Sequence, residues 1–422
     1  MLYLAVVTIV LMILFGWIVF FFLAMRIYRL TPQLSNTESH ESSRTQPSVT
    51  LIVPARNEAH RIGNCLKSLK AQTYQNMNVL VVDDFSTDNT IDTSMELIGA
   101  DPRFRVLNLR SLCKEKPTGW NGKSFALQQA SLQTQSDWII FVDADVSFVP
   151  DTVAKAMTYV SDHQLDLLSI LPQHLCDTFW TKVVHPIPLE TLLFHISKTN
   201  KQGSKIGFSF GCFMVIKHSV FDAVAGYETI KDKIVDDCEF ARLIKRSGFR
   251  IRIANAQEMI QVETYKGFRE LWEGWGKNIF LGLIQNTTIG SNLLKAVLVL
   301  MVCVALFVVF LIPLIVLFSS LILGVLFHLP NLWILSMLSL VTWLLGVVIQ
   351  YRIQQRYAIG NPKYAVFSTI GGTIYLEIFL TTALKIMLGK GVSWKERVYY
   401  DKKYVLYCCI VTLFEKKWTK SR

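Results

Sequence analysis

Four groups of residues in this chain have types and spacings suited to chemistry. Asp143 and Asp145 stand two positions apart in Val142-Asp143-Ala144-Asp145-Val146, directly after an apolar run. At the end of a strand, two carboxylates so spaced can approach one hard cation from a loop. Such a pair also arises by chance, and its place after a buried strand is what favours a metal role. Asp83 and Asp84 follow Val81 and Val82 and precede Ser86, Thr87 and Asp88. Turn and cap chemistry accounts for Ser86 and Asp88, whereas two adjacent acids suit hydrogen bonding to a base or a ribose. In Pro117-Thr118-Gly119-Trp120-Asn121-Gly122-Lys123-Ser124 a glycine-bearing loop opens a helix, whose free N–H groups and Lys123 offer a phosphate site. The GxxxxGK[ST] spacing of a P-loop is absent. Asp236 and Asp237 begin a helix carried on by Phe240, Leu243 and Ile244 and ended by Gly248. The helix dipole favours acids there in any case. Adjacent like charge and partial burial also raise a carboxyl toward the range of a general base.

The elements that must hold these groups alternate. Short β-rich runs at 49–53, 79–82, 104–107, 138–142 and 165–170 read as strands, and 62–69, 90–98, 123–132 and 152–160 as helices. This alternation predicts an α/β domain with a mostly parallel sheet covered by helices on both faces, binding ligands beyond the carboxyl ends of its strands. The acids fall at those ends. Residues 31–48 are rich in Ser, Thr, Gln, Asn and Pro and read as a flexible linker. Residues 179–196 mix aromatic, aliphatic and polar side chains with two prolines. They read either as a segment lying on a membrane surface or as a kinked core helix.

The remainder is membrane-like. Of 422 residues, 51% are hydrophobic, and residues 2–25 and 296–350 each exceed the roughly 20 residues that cross a bilayer. The first run lacks a basic leader and a small-x-small cleavage site, and so reads as an uncleaved N-terminal transmembrane helix. Arg26, Arg29 and Arg44 follow it, which places the next domain in the cytosol. Basic residues flank 364–388 on both sides, and the segment holds Gly371, Gly372, Glu377 and Lys385, which predicts a re-entrant or in-plane helix pair. The expected plan is therefore an anchor (1–30), a linker (31–48), a catalytic domain (49–290), a region of C-terminal transmembrane helices (291–390) and a basic cytosolic tail (391–422). The eight scattered cysteines show no metal-ligand spacing and read as reduced thiols. A net charge of +11 suits anionic lipid and a nucleotide diphosphate. No aromatic-basic pattern argues for nucleic acid.

At these residues the chain resembles family 2 glycosyltransferases of the GT-A fold, inverting enzymes that use nucleotide-sugar donors. Pro54-Ala55-Arg56-Asn57-Glu58, the run from Val82 to Asp88, Asp143-Ala144-Asp145 and Asp236-Asp237 match its motifs in order. The resemblance implies donor contacts at Pro54, Glu58, Asp83, Asp84, Lys123 and Asp143. It also implies Mg²⁺ or Mn²⁺ on Asp143 and Asp145, and a catalytic base at Asp237. Gly119 to Lys123, Glu273-Gly274-Trp275-Gly276-Lys277 and Trp394-Lys395-Glu396-Arg397 look like motifs of the membrane-bound hopanoid-associated and carotenoid (diaponeurosporenoate-type) enzymes. This implies a membrane lipid acceptor, with Asp236, Glu273, Trp275 and Lys277 in the acceptor or product region. A Gln-x-x-Arg-Trp motif, which processive polysaccharide synthases carry, is absent near 273–277, against polymer synthesis. A polysaccharide-synthase-like transferase, a nucleotidyltransferase and a scaffold with a degenerate transferase domain are the rival readings.

Overall fold

A computed structural model describes residues 1–37, 46–233, 235–285, 292–387, 392–394 and 397–399. In chain order the elements are α1 (Leu2–Leu30), β1 (Val49–Ala55), α2 (Ile62–Lys70), β2 (Met77–Asp83), α3 (Thr90–Ile98), β3 (Phe104–Asn108), α4 (Gly122–Ser131), β4 (Trp138–Val142), β5 (Val146–Phe148) and α5 (Thr152–Asp162). Then come β6 (Leu167–Leu171), β7 (Gln173–Leu175), α6 (Phe179–Val184), α7 (Pro186–Asn200), β8 (Phe213–Lys217), α8 (His218–Ala223), α9 (Asp236–Arg246), β9 (Ile251–Asn255) and β10 (Ile260–Glu263). The last are α10 (Phe268–Gln285), α11 (Asn292–Phe310), α12 (Ile312–Phe327), α13 (Pro330–Arg356) and α14 (Ser368–Met387), with a short pair β11 (Val392–Trp394) and β12 (Arg397–Tyr399). The chain forms two compact units, one of residues 27–175 and 192–264, the other of residues 1–26, 176–191 and 265–422.

The first unit is built on a 7-stranded sheet of order β3-β2-β1-β4-β8-β6-β9. All neighbours pair in parallel except β8, which runs antiparallel to both β4 and β6. Central strands buried on both faces carry near-continuous apolar sequence, as Trp138–Val142 does and Val49–Ala55 does apart from the buried Thr50. The mostly parallel sheet expected from the alternation is therefore present. Strands β5, β7 to β10 lie outside the five runs read from sequence; β5, β10 and β7 form a separate 3-stranded sheet. Phe141 from β4 packs edge-on against Tyr227 and Phe240, and Tyr227 stacks on Phe240 at 4.6 Å between ring centroids. These fully buried rings hold β4 against α9; Asp143 follows β4 directly and Asp237 lies on α9.

The linker expectation fails at its start. Leu34 is fully buried, its N–H donates to the Asn255 carbonyl at 2.8 Å, and the Asn255 N–H donates to Pro32 at 2.7 Å. Residues 31–34 are thus strapped to β9. Residues 38–45 of the expected linker lie outside the described residues.

In the second unit, three helices among the described residues are long and apolar enough to cross a membrane: Leu2–Leu30, Pro330–Arg356 and Pro362–Lys385. Val297–Phe310 and Ile312–Phe327 form a fourth candidate, bent by 46° at its break. Small residues let the helices close up. At Gly346 an added Cβ would lie 2.9 Å from the Trp17 ring, and the Ser320 and Ser336 hydroxyls join α12 to α13 at 2.7 Å. Tyr357 Oη donates to the Ala24 carbonyl at 2.7 Å. Within the 364–388 segment, where the sequence predicts a helix pair, a 3-10 turn over Pro362–Phe367 leads into one unbroken helix, α14, over Ser368–Met387. Its glycines are contact points, Gly371 against the Val183 backbone and Gly372 against the Phe310 ring. Over 179–196 the chain makes two helices, α6 and α7, parted at His185. Most of the expected basic tail (391–422) lies outside the described residues.

Candidate functional site

The acids read from sequence converge at the carboxyl ends of β1, β2 and β4 in the first unit. Asp143 is the first residue past β4, and its N–H donates to the Cys212 carbonyl of the segment entering β8 at 3.1 Å. Its Oδ1 lies 2.6 Å from the Lys123 ammonium. Lys123 is in the first turn of α4, and the loop before it turns at Gly119, whose φ of 89° suits glycine. Asn121 fastens that turn to the chain approaching α9: its N–H donates to Lys231 O at 2.6 Å and its Nδ2 to Lys233 O at 3.0 Å. Lys123 thereby stands in the field of Asp143, Asp236 and Asp237. Burial alone would pull its ammonium down, yet these carboxylates hold it well above its ordinary value.

Asp237 enters from the first turn of α9. Its Oδ1 accepts from the Cys238 N–H at 2.7 Å, and Ser209 Oγ donates to its carbonyl at 2.8 Å. Behind it lies Gly211, where an added Cβ would be 2.6 Å from Asp237 Oδ2. Burial first, and then the Asp236 charge, push the Asp237 carboxyl up to about 6, with Lys123 and the Cys238 N–H pulling the other way. That suits a group that must accept a proton near neutrality. Asp236 is buried at 6% exposure, and its Oδ2 has no hydrogen-bond partner among the described residues.

The small sheet positions Asp145, whose carbonyl accepts from the Glu263 N–H of β10 at 2.9 Å. Burial and the charges of Asp145, Asp143 and Glu58 together push the Cys65 thiol up, which gathers those three acids around one buried, inert thiol. Among the described residues no group of three or more His, Cys, Asp or Glu forms a metal cluster. Two carboxylates on one loop fit an ion such as Mg²⁺, which commonly takes one or two protein carboxylates and fills its shell with substrate phosphates and water.

Asp83 and Asp84 are buried at 1% and 4% exposure. Asp83 Oδ2 accepts from the Ser86 N–H at 3.2 Å, while its Oδ1 has no partner among the described residues. Two loops interlock here. Arg56 donates to the carbonyls of Asp84 and Phe85 at 2.9 and 3.1 Å, Asn57 Oδ1 accepts from the Thr87 N–H at 2.8 Å, and Thr90 Oγ1 accepts from the Glu58 N–H at 2.9 Å. Asn57 and Phe85 hold positive φ of 52° and 58°, a conformation that costs a bulky residue energy and collects at functional loops. Pro54 lies one residue before the end of β1, below this clasp.

Glu273, Trp275 and Lys277 belong to the other unit, on α10. There Trp275 is buried and its indole N–H donates to His185 Nδ1 at 3.1 Å, while Glu273 accepts from Arg269 at 3.0 Å. Sequence reasoning missed Asn121, Ser209 and Gly211 as positioning residues. The signal available was their type alone, an Asn before a helix and a Gly before a strand.

The sequence model described as Glycosyl transferase family 2 matches residues 50–225, and that described as Glycosyl transferase family group 2 matches residues 138–349. A 4,4'-diaponeurosporenoate glycosyltransferase of Staphylococcus haemolyticus (strain JCSC1435) is 28% identical over 253 residues, 59% of this chain and 65% of the relative. The protein of the same name from Staphylococcus aureus (strain MRSA252) is 26% identical over 241 residues, 56% of this chain and 61% of that relative. The chain thus spans less than two thirds of the length of either relative. A solved mannosyltransferase from Pyrobaculum calidifontis, in complex with GDP-Man and Mn2+, is 17% identical, covers 91% of this chain and 98% of its own with a TM-score of 0.53, and shares the fold. Two family models overlap over residues 138–225, which include Asp143 and Cys212, the second of them matching half of the chain, and on that ground the protein belongs to glycosyl transferase family 2 and resembles its carotenoid-type members.

Proposed function

We propose that the protein is an inverting glycosyltransferase that moves a sugar from a nucleotide-sugar donor to a membrane lipid-like acceptor, such as an isoprenoid, carotenoid, hopanoid or glycolipid. The observation that carries the reading is the half-buried Asp237 carboxyl, pushed up to about 6 and facing the charges of Lys123 and Asp143. Asp83 and Asp84 bind the base and ribose, with Pro54 and Glu58 lining the donor side. Lys123 and Asp143 address the diphosphate. Asp143 and Asp145 would hold Mg²⁺ or Mn²⁺, which supplies positive charge to the leaving diphosphate. Asp237 takes the proton of an acceptor hydroxyl or carboxyl as its oxygen bonds to the anomeric carbon. The bond from that carbon to the diphosphate breaks, and a nucleoside diphosphate leaves with the bonding pair. Asp236, Glu273, Trp275 and Lys277 serve the acceptor or product side.

The same reading makes the protein a multi-pass protein of the cell membrane with its catalytic domain (49–290) in the cytosol, anchored by residues 1–30 and 291–390. The names of the staphylococcal relatives support a lipid-like acid as acceptor. Lipids are extracted from cells with the gene, without it, and with Asp237→Asn, and compared by mass spectrometry. A hexose-sized mass increment present only with the active gene is the expected result. Identical lipid profiles in all three would overturn the acceptor class.

A further inference from the structure

Within the second unit a cavity of about 550 Å³ opens among α1, the start of α7, α11 and α13. Its volume lies in the range of about 300–1,000 Å³ typical of small-ligand sites. Its wall is mostly apolar, Ile13, Trp17 and Phe310 among it, and Gln350, Glu190 and Thr191 are the polar side chains that line it. Gln350 is 1% exposed, and neither its Oε1 nor its Nε2 has a hydrogen-bond partner among the described residues. Glu190 is 3% exposed and meets Gln354 Nε2 only at 3.5 Å. Burial pushes its carboxyl up to about 8, so at neutral pH it keeps its proton as a donor. Polar groups buried among apolar helices are costly unless something satisfies them.

The chemistry of the missing partner follows from the amide. Gln350 offers an acceptor and a donor side by side, and one group that both donates and accepts, a hydroxyl or an undissociated carboxyl, satisfies both. Among the described residues no Lys or Arg lines the cavity, so there a phosphate head group would find no counter-charge. The apolar wall accommodates a hydrocarbon body. We propose that this cavity binds a long-chain lipid bearing one terminal hydroxyl or carboxyl group, with that group on Gln350 and its apolar body against α1 and α11. The cavity is lined by residues of the second unit and the proposed transfer residues belong to the first, and occupancy of the cavity does not require that chemistry.

The test uses the full-length protein in detergent, without donor, and diazirine-labelled hexadecanol, hexadecanoic acid and hexadecane. Mass spectrometry of the photolabelled protein is expected to place the alcohol or the acid on α1 and α11 peptides about 10-fold above the alkane, the size of a hydrogen-bonding contribution. Comparison of the alcohol with the acid tells which head group is taken. In the unaltered protein, unlabelled hexadecanol or hexadecanoic acid competes and hexadecane does not. Gln350→Leu brings labelling down to the alkane level. Gly16→Leu lowers labelling by all probes, since Gly16 lines the cavity and a Cβ there meets nothing within 4 Å. Both variants are compared after their unfolding transitions match that of the parent. Equal labelling by the alkane, or labelling unchanged in either variant, overturns the proposal. Because no donor is present, that failure would leave the transferase reading standing.

Discussion

The Lys123 ammonium lies 2.6 Å from Asp143 Oδ1, so the cation heading α4 and the acid ending β4 are paired before any donor arrives. On the proposed reading, an incoming diphosphate shares or displaces that carboxylate. The pair contributes to the field in which the Asp237 carboxyl titrates.

Lys123→Met should therefore weaken donor binding by about 10- to 100-fold, the range of a charge-assisted contact. Titration calorimetry with the nucleotide-sugar measures it. Donor affinity equal to the parent's would remove Lys123 from the diphosphate.

Asp237→Asn keeps the shape of the side chain and removes its basicity. Turnover should drop by about 10²- to 10⁴-fold, with donor affinity nearly unchanged. Asp236→Asn should be milder, and the reverse ranking in steady-state assays would name Asp236 as the base.

The pH profile follows from the raised Asp237 carboxyl. A base works deprotonated, so kcat/KM should climb with pH through about 6 and level off above it. Loss of the Lys123 charge should move that limb to higher pH. For stability the sign is opposite. The native state holds this proton more tightly than the unfolded chain, whose value is near 3.8, so stability falls as pH rises between 3.8 and about 6. Asp237→Asn should accordingly raise the thermal midpoint at pH 7. A flat rate profile from pH 5 to 8 would contradict the assignment.

Gly211→Ala puts a methyl 2.6 Å from Asp237 Oδ2. Overpacking of this kind costs about 1–3 kcal/mol, and here it also displaces the carboxylate, so activity should suffer beyond the lost stability. Gly63→Ala is the control, its Cβ 3.6 Å from Leu97 in ordinary contact. Equal activity in the two variants would show that Gly211 does not seat Asp237.

Removal of divalent cations with excess chelator should abolish transfer, and Asp145→Ala should weaken donor binding only when Mg²⁺ or Mn²⁺ is present. Transfer that proceeds at full rate in chelator would leave Asp143 and Asp145 as hydrogen-bonding acids.

Much of the first unit could be read from local pattern. Trp138–Val142 and Thr90–Ile98 have the boundaries that the apolar runs indicate, because a parallel strand buried on both faces announces itself without reference to its neighbours. Strand β8 escaped notice: it is a short apolar run whose place is set by pairing Phe213 with Val142, far away in sequence. The acids were legible by type and position. The contacts that aim them were not, since Asn121 bonds to the carbonyls of Lys231 and Lys233, and Gly211 matters only through Asp237. Gly371 and Gly372 counted against a full span because their packing against Val183 and Phe310 depends on tertiary structure alone. The strap on Leu34 was hidden for the same reason, its partner being a backbone carbonyl of Asn255.

The clasp of Arg56 and Asn57 on the loop running from Asp84 to Thr90 has a thermodynamic consequence. Each loop supplies the hydrogen-bond partners of the other's backbone, so neither can loosen without the other, and the pair opens as one cooperative element. The loss of chain freedom that a flexible nucleotide site incurs when ligand arrives is here incurred during folding. Association with a nucleoside diphosphate should then show a small heat-capacity change and little entropic opposition. Arg56→Ala would return that ordering step to binding, visible as a more unfavourable entropy and a slower association rate.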